Sequence, residues 1–175
     1  DVDPAAITHL MREEGWGPDE MDEVIYRKSG WLGVSGLSAD MGELLVAAAR
    51  GHRGARRAVG VLVHRIKKYV GAYAAVMGGL DVLVFSGGVG ERSGLIRARV
   101  CEGLGFLGIQ VDRARNRDPG EEGLVSPPGS RVAVAVIKAR EDLVLAREAA
   151  RVVRDRARGS GPTPGSRPDW KGVRP

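Results

Sequence analysis

Apolar residues recur along this chain with helical and strand periods in turn, which outlines an α/β fold. Residues 4–14 and 18–28 have helical spacing, with Met21, Val24 and Ile25 on one face of the second segment. Asp3 can cap the first helix, Pro4 suits its first turn, and Gly15 stops it. Residues 40–50 predict another helix, with Gly51 placed to end it. The clearest pattern covers 55–77, where Val59, Leu62, Val63, Ile66, Tyr69, Val70, Tyr73, Ala74 and Met77 share one helix face. Gly78-Gly79 closes that helix.

Val82-Leu83-Val84-Phe85-Ser86 is a continuous apolar run, the pattern of a strand covered on both faces. A helix over 93–104, ended by Gly105, is expected next. Further strands are expected over 109–111 and 132–137, with a loop rich in Pro, Gly and charge over 113–130. A final helix covers 141–156. Residues 29–38 carry glycines at 30, 33 and 36 and no helical period. They predict a tight, buried loop or short strand where backbone comes close to something. Residues 159–175 hold Pro, Gly, Ser and charge without a period and are expected to be disordered.

Composition narrows the picture little. The 175 residues suffice for one domain, and 43% hydrophobic with 28% charged is ordinary for a globular protein. Aromatics are only 5%, so Val, Leu, Ile and Ala must build the core. The net charge is +5, but Arg151, Arg154, Arg156, Arg158, Arg167, Lys171 and Arg174 put much of it at the C-terminal end. No aromatics interleave with these cations, so they read as a solvated face and tail and not as a nucleic-acid surface.

Cys101 is the single cysteine, which rules out an internal disulfide or a Cys-based zinc site. Its place in an apolar-periodic helix makes it a core residue. Arg65, Lys67 and Lys68 break the longest apolar stretch, so no membrane span is expected, and a reducing cytoplasm is the default. The opening Asp1-Val2-Asp3-Pro4 has no initiator Met and leads straight into a helix. We expect it to lie inside a longer chain.

The main chemical signal is strand, then Ser86-Gly87-Gly88-Val89-Gly90-Glu91, then helix. Glycines let main chain approach a ligand, and a helix start presents N–H groups to phosphate. A strand-to-helix turn that needs positive φ would look the same. The segment is neither a GxGxxG nor a P-loop. Asp40 can cap its own helix or face a ligand. Glu141 and Asp142 open the last helix, where acidic residues suit the dipole, and one carboxylate can serve Mg²⁺ alongside phosphate oxygens. His9, His52 and His64 show no ligand spacing, and no complete catalytic centre is visible.

Several longer segments, taken together, carry a resemblance. They are Lys28-Ser29-Gly30-Trp31-Leu32-Gly33-Val34-Ser35-Gly36-Leu37-Ser38-Ala39-Asp40-Met41, Lys67-Lys68-Tyr69-Val70-Gly71-Ala72-Tyr73 and Val84-Phe85-Ser86-Gly87-Gly88-Val89-Gly90-Glu91-Arg92-Ser93. In this order, over about 1–153, the chain resembles the acetokinase (acetate kinase) family. The resemblance implies an RNase-H-like lobe of the actin, hexokinase and heat-shock superfamily, a five-stranded mixed sheet flanked by helices. It would occupy 1–156, ahead of a basic tail over 157–175.

The resemblance also implies reversible phosphoryl transfer between ATP and acetate, giving acetyl phosphate and ADP, in a homodimer. Asp40, Met41 and Gly42 fall where the family contacts adenosine. Gly88, Val89, Gly90, Glu91 and Arg92 fall on its adenosine-phosphate loop, and Glu141 on its Mg²⁺ ligand. The family's catalytic Asp, His and Arg residues belong to segments before Asp1, so the chain alone is expected to be inactive. There are three departures from the family pattern: Gly42 replaces Arg, Arg92 replaces Asn, and Lys138-Ala139-Arg140 replaces Pro-Thr-Asn. Propionate kinases share these motifs, and a non-catalytic nucleotide-binding or dimerisation remnant is the other reading.

Overall fold

The Asp3 carboxylate accepts the Ala5 N–H at 2.9 Å and so caps the first helix, α1 (Pro4–Glu14), which Gly15 ends at φ 68°. The computed structural model describes residues 2–157, so the tail expected beyond them lies outside the described residues. The chain divides into two compact units, Asp1–Ile137 and Lys138–Pro175.

In the first unit α2 (Pro18–Glu23) widens into a π-helical turn, Val24–Lys28. The loop or strand expected over 29–38 is instead a short helix, α3 (Gly30–Ser35). Gly30 (φ 61°), its first residue, and Gly36 (φ 63°), just past its end, have the positive φ that glycine favours. The three-residue glycine spacing thus brackets one helical segment, and only Ser35 within it is buried. Gly33 is helical, and a Cβ there would stand 3.2 Å from the Lys28 carbonyl oxygen.

α4 (Met41–Ala49) and α5 (Arg53–Met77) follow. His52 Nδ1 accepts the Ala55 N–H at 3.1 Å and caps α5, while Gly78 ends it at φ 76°. α5 packs against α3, α4 and α7 (Gly94–Cys101). Ala55, Ala58, Val59, Val63 and Ala74 of its apolar face are buried. Tyr73 and Met77 of that predicted face are exposed, at 61% and 66%.

The sheet has three strands among the described residues, in the order β1 (Val82–Phe85), β3 (Ala133–Val136), β2 (Gly123–Leu124). β1 runs parallel to β3, in register Val82 with Ala133 through Phe85 with Val136, and β2 is antiparallel. The sheet is therefore mixed, as expected, but has three strands among the described residues where the resemblance implies five. β3 is central and its Val134, Ala135 and Val136 are buried. β1 is an edge strand, and Val82 and Val84 remain 52% and 45% exposed. The expectation of cover on both faces is therefore corrected: an all-apolar run marks β1, but only Phe85 of it is buried.

Between β1 and β3 lie α6 (Gly87–Arg92), α7 and α8 (Arg113–Arg117). α7 stops at Cys101, before the expected 104, because Gly103 turns the chain at φ 78°. Ile109 makes one parallel bridge to Val132 instead of a strand. The region expected to be loop contains α8, capped by the Asp112 carboxylate at 2.9 Å, and β2. The core gathers Leu44, Val59, Ile96, Val100, Val125 and Val132, all at most 1% exposed. No described helix is long and apolar enough to cross a membrane.

The second unit is described as far as α9 (Glu141–Ala157), which Glu141 and Asp142 open. Acidic residues at that end complement the helix dipole. Its residues 141–154 are exposed, and Arg151 pairs with Glu148 at 3.0 Å.

Candidate functional site

Two separate stretches of the first unit meet at one cleft of about 510 Å³. Ala39, Asp40, Met41, Gly42 and Leu45 line it from the start of α4. Gly88, Val89, Arg92 and Ser93 line it from α6, and Trp31 of α3 completes it. Of the residues singled out for a nucleotide site, Asp40, Met41, Gly42, Gly88, Val89 and Arg92 are thereby brought together. Gly90 and Glu91 belong to the same α6 turn but do not line the cleft.

A serine network sets the α4 side. Ser35 Oγ accepts the N–H groups of Leu37 (3.1 Å) and Ser38 (3.3 Å), and Ser38 Oγ accepts that of Asp40 (3.0 Å). Asp40 is thereby delivered to the N-cap, where Oδ1 accepts the Glu43 N–H at 2.8 Å. Its capping role is thus present in the geometry. The Met41 side chain is buried in the core cluster, so it anchors this turn from beneath. Gly42 is exposed, and a Cβ there would stand 3.0 Å from Asp40 Oδ1.

On the α6 side the glycines have different reasons to be glycine. Gly87 sits at φ 72°, which answers the turn reading. Gly90 is held to glycine by packing within the chain, since a Cβ would meet the Phe85 carbonyl carbon at 3.3 Å. At Gly88 a Cβ would meet the Arg92 guanidinium at 2.8 Å, and Arg92 Nε donates to the Gly88 carbonyl at 3.1 Å. The Glu91 carboxylate accepts the Gly87 N–H at 2.8 Å, closing the turn on itself. Arg92 is the cation among the lining side chains and Asp40 and its Oδ1 the anion.

Sequence reasoning missed Arg97 and Asn116. Arg97 is 1% exposed and its guanidinium binds backbone of the α6 turn. Burial lowers its pKa from the usual arginine value, with a partly opposing effect of Cys101. A charged residue at a helical position that faces inward was the available signal, but α7 has no clear apolar stripe to define that face. Cys101 is buried, as expected of a core thiol, and burial pushes its pKa up to about 11.

Glu141 belongs to the other unit, where it is exposed in the first turn of α9. Among the described residues no three or more His, Cys, Asp and Glu gather as a metal cluster. His9 and His64 are exposed, and His52 is used as a cap.

The sequence model of the acetokinase family matches residues 1–147. The chain is 49% identical over 153 residues to an acetate kinase of Dictyoglomus turgidum, covering 87% of this chain and 38% of that protein. It is 47% identical over 148 residues to the acetate kinase of Moorella thermoacetica, with 85% and 37% covered. The crystal structure of Porphyromonas gingivalis acetate kinase superposes with a TM-score of 0.78 at 44% identity, over 87% of this chain and 39% of that one. A propionate kinase from Francisella tularensis gives 0.75 at 31% identity, over 85% and 38%. The chain thus spans under two fifths of the length of these relatives, at 37% to 39%. With its family model matched over residues 1–147, this chain belongs to the acetokinase family.

Proposed function

We propose that the chain is the ATP-binding part of an acetate kinase, in which the γ-phosphoryl of ATP passes reversibly to acetate to give acetyl phosphate and ADP. The observation that carries this reading is the meeting of 39–42 with 88–93 at one cleft of about 510 Å³. A volume of this order suits a nucleoside better than a metabolite the size of acetate. Asp40, Met41 and Gly42 would form the adenosine side. Gly88, Val89 and Arg92 would form the phosphate side, with Gly90 and Glu91 completing the same turn. The mixed sheet with helices would be the core of an RNase-H-like lobe, and the full enzyme a cytoplasmic homodimer.

Glu141 offers a hard, exposed carboxylate, the donor Mg²⁺ prefers, and magnesium in kinases needs only one or two such groups beside phosphate oxygens. The ion would supply charge neutralisation between the phosphates. This chain's own residues would bind the nucleotide and hold it in place. Phosphoryl transfer depends on positioning and on stabilising charge at the transferring group. The acetate pocket and the catalytic Asp, His and Arg groups would come from the rest of the enzyme. The chain alone is then expected to form no acetyl phosphate above a heat-inactivated control.

Two observations favour particular alternatives. The propionate kinase likeness, at a TM-score of 0.75, supports an acyl acceptor one carbon longer. The departures that the resemblance implies at Gly42, Arg92 and Lys138-Ala139-Arg140 would support a non-catalytic, nucleotide-binding remnant. Calorimetric titration of the chain with MgATP, repeated on Glu141→Ala, tests the proposal. Saturable binding that the substitution weakens supports it. Absence of any saturable heat with either protein defeats it.

A further inference from the structure

The α6 turn is six residues long, too short to hold its own shape. Its stability must come from what it is tied to. One tie is internal, the Glu91 carboxylate on the Gly87 N–H. The other comes from behind, through Arg97 on α7.

Arg97 Nη1 donates to the carbonyls of Gly90 and Glu91, both at 2.7 Å. Nε donates to Asn116 Oδ1 at 2.7 Å, and Nη2 donates to the Asn116 carbonyl at 2.6 Å. Asn116 Nδ2 in turn donates to the Gly94 carbonyl at 2.8 Å. All these acceptors are neutral. A buried cation held by carbonyls alone is costly to desolvate, and an apolar residue would fill the space without that cost. What an apolar residue could not do is hold two successive carbonyls of α6 from Nη1 while Nε and Nη2 stay seated as a planar fork on Asn116. Gly94 fits the same arrangement, because a Cβ there would come within 2.8 Å of the Asn116 carbonyl oxygen.

Arg97 does not line the cleft, whereas Gly88, Val89 and Arg92 of the turn that it grips do. We propose that Arg97, seated on Asn116, is a positioning residue for the nucleotide cleft, fixing the α6 wall so that Gly88, Val89 and Arg92 stand ready before ligand arrives. This rests on the nucleotide reading of the cleft given above. The fork needs all of its geometry: a lysine keeps the charge and loses the second grip.

The test compares the wild-type chain with Arg97→Lys, and with Asn116→Ala as a second variant that leaves the arginine in place. Amide hydrogen exchange is followed by mass spectrometry over 86–93 and over the α5 core at 55–63, and MgATP affinity is measured by calorimetry. Arg97→Lys is expected to speed exchange over 86–93 by about ten- to a hundredfold, the range for losing a hydrogen bond to a charged group, while 55–63 changes much less. MgATP affinity should fall over the same range. Asn116→Ala should move both readouts in the same direction by a smaller factor.

Equal acceleration of both segments would show a role in overall stability only and would overturn the inference. So would unchanged exchange over 86–93. If Arg97→Lys does not fold, Asn116→Ala decides by the same comparison. A wild-type chain that binds no MgATP defeats the nucleotide reading instead, and is told apart because the exchange over 86–93 still responds to Arg97.

Discussion

Gly42 and Arg92 line the same cleft, Gly42 from the first turn of α4 and Arg92 from the end of α6. They are also two of the positions where the resemblance to the acetokinase family implies another residue, Arg at 42 and Asn at 92. A guanidinium is absent on the α4 side and present on the α6 side. Arg92→Ala should therefore weaken MgATP binding by about tenfold or more, as expected when a charge-assisted contact is lost. Adding Gly42→Arg to it should recover most of the loss, because the new side chain enters the same space. Calorimetry on the single and double variants checks this. An Arg92→Ala variant that binds as wild type would show that the cation faces no phosphate.

Helix α5 begins against the end of α3. A Cβ at Gly54 would collide with the Ser35 carbonyl oxygen, and backbone there cannot swing aside. Gly54→Ala should destabilise by about 1–3 kcal/mol, the usual cost of overpacking. Gly71, on the same helix with nothing near its missing Cβ, gives the opposite sign. Gly71→Ala should stabilise by about 0.5–1 kcal/mol through helix propensity. Urea midpoints of the two variants should move in opposite directions.

Cys101 gives a pH signature. Its folded pKa is raised from an ordinary 9.0 to about 11, first by burial, against the opposing charges of Lys67 and Arg97. The unfolded chain thus loses this proton at lower pH than the folded one. The contribution to stability is complete below about pH 9 and disappears as pH rises through about 11. Denaturation midpoints should decline across that window, and less steeply in Cys101→Ala. A thiol reagent at neutral pH should react with the wild type only as fast as the chain opens.

The groove between α5 and β1, about 870 Å³, is lined by Val61, Tyr69, Tyr73, Met77, Val82 and Val84 among others. It adjoins an edge strand that is apolar and exposed. Such edges associate unless a charge blocks them. Sedimentation should show concentration-dependent association of the chain, reduced by Val84→Lys. A chain that remains monomeric at every concentration would contradict this.

Much of this was readable in advance because local rules and tertiary packing agreed. Asp3, Pro4 and Gly15 delimit α1 by capping chemistry alone, and the apolar face of α5 is long enough to declare itself. Asp40 and Gly88 were singled out as candidate site residues through the family's motifs, and only the fold shows that they share a cleft. The failures have physical reasons. The glycines at 30, 33 and 36 conceal a helix, because two of them take positive φ at its ends and the third is simply helical. The run 82–86 has the composition of a fully covered strand, but composition does not tell which neighbours cover it. Arg97 could not be found from spacing, since its partners are backbone carbonyls and an asparagine 19 residues away.

The measurement closest to the central claim is an NMR titration of the ¹⁵N-labelled chain with MgATP, read amide by amide. The account predicts saturable shifts concentrated at 39–42 and 88–93, with the α5 and β1 walls of the groove, at Val61, Tyr69, Tyr73, Met77, Val82 and Val84, unaffected. No saturable shifts, or shifts confined to those α5 and β1 walls, would contradict it.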